Sequence, residues 1–279
     1  PDCQVEAIPV ADGGDGTVEC FVEAIGAVPT AVDVSGPYEE PVRAVYCRSG
    51  DRAVIEMAAA AGLPIVEGNM DPRRTTTYGV GQMIRHAVEQ GCTEILLGLG
   101  GSCTNDGGCG CAAALGTKFR RTDGEMFVPT GDTLDQISCI DVSKTRSFLK
   151  NIKITAMCDV DNPLHGPNGA AYVFSPQKGA DPAMAEYLDG QLKVLDTAIQ
   201  QELGLSLGSI PGAGAAGGMG AGCIAFLNAE LKSGIEAVLD IVDFDRRLEG
   251  ADLVITGEGR IDAQSLGGKV ISGVAGRPK

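Results

Sequence analysis

The sequence predicts an α/β protein, and three observations carry that expectation. One order of segments recurs along the chain: a short apolar run, a loop rich in glycine or aspartate, then a stretch with helical periodicity. With 279 residues, 44% of them apolar, the chain can bury one large or two ordinary α/β cores. Its 40 glycines and 14 prolines supply the tight turns that such a fold needs.

Taken in order, Val5 to Val10 reads as a short strand running into the acidic turn ADGGDGT, Ala11 to Thr17. Val18, Phe21, Val22 and Ile25 then share one helical face, and Gly26 closes that helix. Three strand-like segments follow, Thr30 to Val34, Pro41 to Cys47 and Arg52 to Met57, separated by turn residues. An alanine run from Ala58 to Ala61 stops at Gly62 and Pro64. Behind DPRRTTT, Val80, Met83, Ile84, Ala87 and Val88 form one face of a helix that Gly91 ends. The apolar run Ile95 to Leu99 opens into GGSCTNDGG. Thr117 to Ser147 is mixed, polar and turn-rich, and no periodicity assigns it. Ile152, Ile154, Ala156 and Cys158 alternate as a strand that empties into CDVDNPLHGPNGAA. Asp181-Pro182 is an N-cap and first-turn pair for a long helix carrying Met184, Leu188, Leu192, Leu195 and Ile199 inward to Gly204. The loop PGAGAAGGMGAG leads into a helix through Phe226 and Leu227. Ser233 to Val242 is another helix, and Leu253 to Thr256 a last strand opening into GEGRIDAQSLGGK.

Composition removes several classes of function. A formal charge of −15 repels nucleic acid and offers no membrane patch. No apolar run reaches membrane-spanning length, and no basic-then-apolar leader is present. The ten cysteines form no C-x-x-C pair and only two histidines exist, which argues against zinc. Most of those cysteines sit in apolar contexts and read as buried thiols of a reducing cytoplasm. The expected partner is a small molecule.

Five polar loops follow strands or introduce helices: Asp12 to Gly16, Gly100 to Asp106, Asp159 to Asn162, Gly212 to Gly220, and Gly257 to Asp262. In α/β folds such loops converge on a ligand at the carboxyl ends of strands. Gly100, Gly101 and Ser102 leave backbone N–H groups that can wrap a phosphate, and Thr104, Asn105 and Asp106 can position a metal or a reacting hydroxyl. A tight turn feeding a packed helix is the alternative. Converging carboxylates repel unless a cation separates them, so Mg²⁺ with a phosphoryl donor is the economical explanation. Asp12 and Asp15 read as functional or as turn formers. Asp159 and Asp161 read as ligands or as an Asx-turn before Pro163. Gly212, Gly214 and Gly217 match G-x-G-x-x-G, but the preceding segment is a poor strand, so close packing competes with ligand approach. No Walker-type G-x-x-x-x-G-K-[ST] occurs. Arg260 between Glu258 and Asp262 can hold a carboxylate or phosphate in bidentate fashion, or form a structural ion pair. Arg73 and Arg74 are a second candidate anion clamp, and Lys178 is either a phosphate contact or solvated.

Six stretches, PVADGGDGTVE, GLGGSCTNDGG, CDVDNPLHGPNGAAYVFSPQKGA, PGAGAAGGMGAG, ELKSGIE and LVITGEGRIDAQS, together resemble the type I glycerate kinase family. They run in the family's order from Pro9 to Ser265. Two departures are mild: Asp15 stands where the family usually has Glu, and Cys103 where it usually has Ala. The resemblance implies phosphorylation of D-glycerate by ATP, with the 2-hydroxyl as acceptor, and ATP and Mg²⁺ as cofactors. It implies two α/β domains, a Rossmann-like domain built from both chain ends and a second α/β domain inserted between them. On that basis residues 1–29 are a remnant of the first domain, 30–262 the inserted domain, and 263–279 the start of the return. The chain begins at Pro1 without the family's P-D-S-F/Y-K motif and stops at Lys279, so it reads as truncated at both ends. The role expectations are Asp12 or Asp159 as base or Mg²⁺ contact, Asp161 as a further metal contact, and Arg260 on the substrate carboxylate. Asp15, Asn162, Glu258 and Asp262 complete the expected substrate and phosphate set, with the backbone of Gly100 to Ser102 and Gly212 to Gly217. A dehydrogenase reading the glycine loop as an NAD site, and a non-catalytic small-molecule regulator, stand as alternatives, and a homo-oligomer is left open.

Overall fold

A computed structural model describes residues 4–11, 16–257 and 270–277. Its centre is a six-stranded mixed sheet. The strands are β1 (Val28–Ser35), β2 (Pro41–Ser49), β3 (Arg52–Glu56), β4 (Glu94–Gly98), β8 (Lys153–Met157) and β9 (Glu230–Lys232), in that spatial order. The pairs β1–β2 and β2–β3 are antiparallel, and β3–β4, β4–β8 and β8–β9 are parallel. A smaller antiparallel sheet, in the order β6-β5-β7, is built from β5 (Lys118–Arg120), β6 (Met126–Phe127) and β7 (Cys139–Asp141).

Alternation along the strands explains why helices cover both faces. Ile95 and Leu97 of β4, Ala53 and Ile55 of β3, and Ile154 and Ala156 of β8 feed one buried cluster. Leu96, Val54 and Met157, from the same strands, feed a second cluster on the other side. A strand apolar at every position has two faces to bury, so it sits between helical layers. The first face carries α3 (Tyr78–Glu89), α4 (Cys109–Leu115), α7 (Pro182–Leu203) and α8 (Ala215–Leu227), with the short α2 (Ala58–Ala61), α5 (Ser143–Phe148) and α6 (Ala170–Phe174) at its margins. The second carries α1 (Thr17–Ile25), α9 (Gly234–Ile241), the short α10 (Phe244–Arg247) and α11 (Val270–Gly276). No described helix is long and apolar enough to cross a membrane.

Local signals behave as their chemistry dictates. The Asp181 side chain accepts from Met184 N at 2.8 Å and Pro182 opens α7, while Gly204, at φ 73°, ends it. Gly26, at φ 66°, ends α1. Glu56, at the end of β3, accepts from Val18 N at 2.8 Å and so fixes the start of α1 against the sheet.

Three expectations need correction. Val5 to Val10 and Leu253 to Thr256 are not strands in the described residues: neither has a sheet partner there, and Val5 is 85% and Ile255 87% exposed. Alternating apolar residues supply a strand's face but not its neighbour. The unassigned stretch from Thr117 to Ser147 in fact holds the small sheet, a 3₁₀ turn at Leu134–Gln136 and α5, elements too short to show a period.

Candidate active site

The parallel strands β3, β4, β8 and β9 end on one side of the sheet, and the loops leaving β4 and β8 line a cleft there. Its volume is about 250 Å³, and its walls include Gly100, Gly101 and Ser102 after β4, and Cys158, Asp159 and Val160 after β8. Phe174, Gln177 and Lys178 close one side, and Ala215 and Ala216 another. A second cleft of about 220 Å³ shares residues 158–160 and adds Asp161, Gly212, Lys232 and Ser233.

The loop from Leu99 to Gly108 is anchored by its backbone. Leu63 N donates to Gly101 O at 2.9 Å, Cys103 N to Ala61 O at 2.9 Å, and Thr75 Oγ1 to Cys103 O at 3.0 Å. Gly107 N donates to Gly217 O at 3.1 Å. The amides of Gly100, Gly101 and Ser102, in contrast, have no acceptor among the described residues. Three successive unbonded N–H groups at a strand exit are the chemistry that can receive an anion.

The next three polar residues are buried, and of them Asp106 holds the loop to its neighbours. Asp106 is wholly buried, and its carboxylate accepts from Thr77 N and Oγ1 at 2.8 Å each, Gly108 N at 3.1 Å and Gly110 N at 3.2 Å. Burial pushes its carboxyl above the usual range, against the lowering effect of those donors. Thr104 and Asn105 are also wholly buried, and Thr104 Oγ1 and both polar atoms of the Asn105 amide have no partner among the described residues.

Under the loop lies a cation that sequence reasoning left undecided. Lys178 is 2% exposed, and its Nζ donates to Ser102 Oγ at 2.9 Å and to Thr104 O at 2.6 Å. Burial pulls the ammonium down to about 8, while Cys103 and Asp106 act in the opposite direction. Only three-dimensional packing shows this site. Lys178 lies 76 residues from Ser102, in a 3₁₀ turn whose sequence carries no period.

Across the cleft, Asp159 Oδ1 accepts from Ser233 Oγ and from Gly234 N, both at 2.9 Å, which fixes its carboxylate at the start of α9. Asp161 is exposed beside it in the second cleft. Asn162 donates through Nδ2 to Asn168 O at 2.8 Å, closing its own loop. The glycine loop is packed against protein. A side chain on Gly214 would meet Pro163 O, and one on Gly217 would meet Thr104 O. Gly212, at φ 81°, lies against Cys158 and Leu231. Ala216, Gly217 and Gly218 adopt left-handed angles in succession, so regular turns of α8 begin only after them. Of the other candidates, Arg73 is engaged in a bidentate pair with Asp71 at 2.9 Å, and Arg74 lies over the Tyr38 ring. Asp12, Asp15, Glu258, Arg260 and Asp262 lie outside the described residues. Among the described residues no group of three His, Cys, Asp or Glu side chains is placed to hold a metal. A Mg²⁺ ion that keeps waters and phosphate oxygens needs only one or two carboxylates, and Asp159 with Asp161 matches that donor set.

The comparisons with known proteins agree with one another. The model of the glycerate kinase family matches residues 1–279. The glycerate kinase of Bacillus cereus is 51% identical over 282 residues, covering 100% of this chain and 74% of that protein. The glycerate 2-kinase of Escherichia coli is 48% identical over 278 residues, covering 99% of this chain and 73% of that protein. A Salmonella typhimurium crystal structure assigned as glycerate kinase 2 superposes with a TM-score of 0.91 at 47% identity, covering 96% of this chain and 73% of that one.

Proposed function

The chain belongs to the glycerate kinase family and is an ATP-dependent kinase, and from that premise we propose that it phosphorylates the 2-hydroxyl of D-glycerate in the cleft above β4 and β8. The observation that carries the site is the anion cradle: three unbonded amides, Gly100 to Ser102, at the exit of a parallel strand. The choice of the 2-hydroxyl draws on the name of the 48% identical Escherichia coli relative.

In-line phosphoryl transfer needs positioning and charge neutralisation more than covalent help. In this reading the glycerate oxygen forms the new bond to the γ-phosphorus as the bond to the bridging oxygen breaks. The electron pair leaves on ADP, and the hydroxyl proton passes to a base. The amides of Gly100 to Ser102 hold phosphoryl oxygens. Asp159, its carboxylate fixed by Gly234 N and Ser233, and Asp161 would hold a Mg²⁺ ion, which when bound would neutralise phosphate charge. That assignment leaves Asp12 as the base and Arg260 as the clamp on the glycerate carboxylate, and gives Asp15, Glu258 and Asp262 to substrate and phosphate binding. Gly212, Gly214 and Gly217 shape the wall by letting backbones meet. The inserted-domain arrangement over residues 30–262 belongs to the same proposal. So does a reducing, cytoplasmic setting, which the nine free thiols among the described cysteines support.

The test is glycerate-dependent ADP release by the complete gene product with Mg²⁺ and ATP, followed by phosphorus NMR of the product. The expected product is 2-phosphoglycerate. A 3-phosphoglycerate signal would refute the acceptor assignment, and no ADP release across a panel of small hydroxy acids would refute the kinase reading.

A further inference from the structure

Lys178 is a buried charge with no counter-ion among the described residues. Its Nζ has two neutral partners, Ser102 Oγ and Thr104 O, and no carboxylate pairs with it among the described residues. Asp106 acts on it electrostatically but makes no ion pair with it, and that carboxylate already accepts from four donors. Taking an ammonium out of water without a partner ion is expensive. A group kept in that state against a cleft wall is suited to an anion that arrives from outside. The hydrogen-bond directions agree. An ammonium only donates, so Ser102 Oγ must accept from Lys178, and the serine's own proton is left to donate elsewhere. That proton has no acceptor among the described residues, and Ser102 lines the cleft beside the unbonded amides of Gly100 and Gly101. The third N–H of Lys178 likewise has no acceptor there.

We propose that Lys178 is a positioning residue for phosphoryl transfer: it orients and polarises the Ser102 hydroxyl, which then donates to an oxygen of the transferred phosphoryl group. The inference rests on the kinase reading and adds to it a charge and a donor. Charge on the phosphoryl oxygens shifts during transfer, and a fixed donor backed by a cation strengthens most at that moment. The glycerate carboxylate is the other anion in the reaction, and the kinetics separate the two.

The complete gene product is compared with its Lys178→Met, Ser102→Ala and double variants, measuring kcat and the KM of ATP and of D-glycerate. Lys178→Met is expected to lower kcat about 100-fold or more, with the KM for D-glycerate within about twofold of wild type. Ser102→Ala is expected to lose about tenfold or more in kcat, and the double variant to be no worse than Lys178→Met alone, because both act through one hydrogen bond. Circular dichroism checks that each variant is folded, and Ser102→Ala, which removes only a hydroxyl, decides the matter if Lys178→Met does not fold. An active wild type whose Ser102→Ala or folded Lys178→Met variant keeps full kcat overturns the inference alone. A rise confined to the KM for D-glycerate also overturns it, by assigning the pair to the carboxylate. A wild type without glycerate-dependent ADP release overturns the kinase reading and takes this inference with it.

Discussion

Replacing Lys178 by Met should change how stability depends on pH. Lys178 is 2% exposed, and burial pulls its ammonium from the ordinary 10.5 to about 8. Below pH 8 the folded and unfolded chains both carry the proton, so the full cost of the buried charge is present. Between about 8 and 10.5 the folded chain releases the proton while the unfolded chain keeps it. The unfolded state then binds more protons, and stability rises with pH through that window. The difference between the two values corresponds to about 3 kcal/mol in total, of which about 2–3 kcal/mol is gained by pH 10. Methionine fills a similar volume and cannot titrate, so the variant lacks this gain. Cys103, pushed up to about 12 by burial, stays protonated throughout. The assay is urea denaturation of wild type and Lys178→Met at pH 7, 8, 9 and 10. It is followed by far-ultraviolet circular dichroism, because the chain has no tryptophan. Other titrating groups are common to both proteins and cancel in the difference. Wild-type stability minus variant stability should climb with pH by about 2–3 kcal/mol. A flat difference would mean that the amine is solvated, and the argument from a buried unpaired cation would fail.

Gly217→Ala should destabilise the fold by about 2–4 kcal/mol, because φ is 68° and the new methyl would meet Thr104 O. Gly190→Ala, within α7 and with nothing near its side-chain position, should instead stabilise it by about 0.5–1 kcal/mol. Thermal melts of the two variants check both signs. Asp106→Ala should cost at least about 3 kcal/mol, since it leaves the amides of Thr77, Gly108 and Gly110 buried without an acceptor. Equilibrium unfolding that shows less than half of that loss would contradict the contacts described. Among the nine described cysteines, Cys139 and Cys158 should react with a thiol reagent in the native protein before the seven buried ones, and all nine should react in denaturant without reductant. Peptide mapping of the labelled thiols measures this, and a protected pair in denaturant would indicate a disulfide.

Much of the scaffold was legible in the residues because local rules and tertiary packing agree there. Asp181-Pro182 and Gly204 bound α7 as their capping chemistry requires, and the doubly apolar runs in β3, β4 and β8 fall between two helical layers. The small sheet at residues 118–141 was not legible, since strands of two or three residues are stabilised by neighbours rather than by pattern. At the site, the glycines were visible but their use was ambiguous. Gly100 and Gly101 line the cleft with amides that have no acceptor among the described residues, whereas Gly214 and Gly217 let backbones touch. The same residue type serves both ends, and only the neighbour decides between them. Asp106 shows the same limit. Its sequence context suits a carboxylate that positions a metal or a reacting hydroxyl, whereas in space it is buried and accepts from Thr77, Gly108 and Gly110, and the buried Lys178 beneath the same loop had no local signal.

Strands follow one another across the main sheet in chain order, but the sequence gap between neighbours widens sharply after β3, and this has a consequence for how the protein comes into being. The turn of residues 36–40 brings β1 and β2 together, so the meander from 28 to 56 can pair as soon as it emerges from the ribosome. Pairing β4 with β8 must instead close the whole of residues 99–152, an entropic toll about 2 kcal/mol larger by polymer scaling. Until that pairing forms, the cradle of Gly100 to Ser102 has no opposite wall, and until residue 178 has been synthesised it has no cation beneath it. Contacts of such long sequence separation slow folding. The cleft is therefore assembled late, on a platform that the first quarter of the chain has already begun to build.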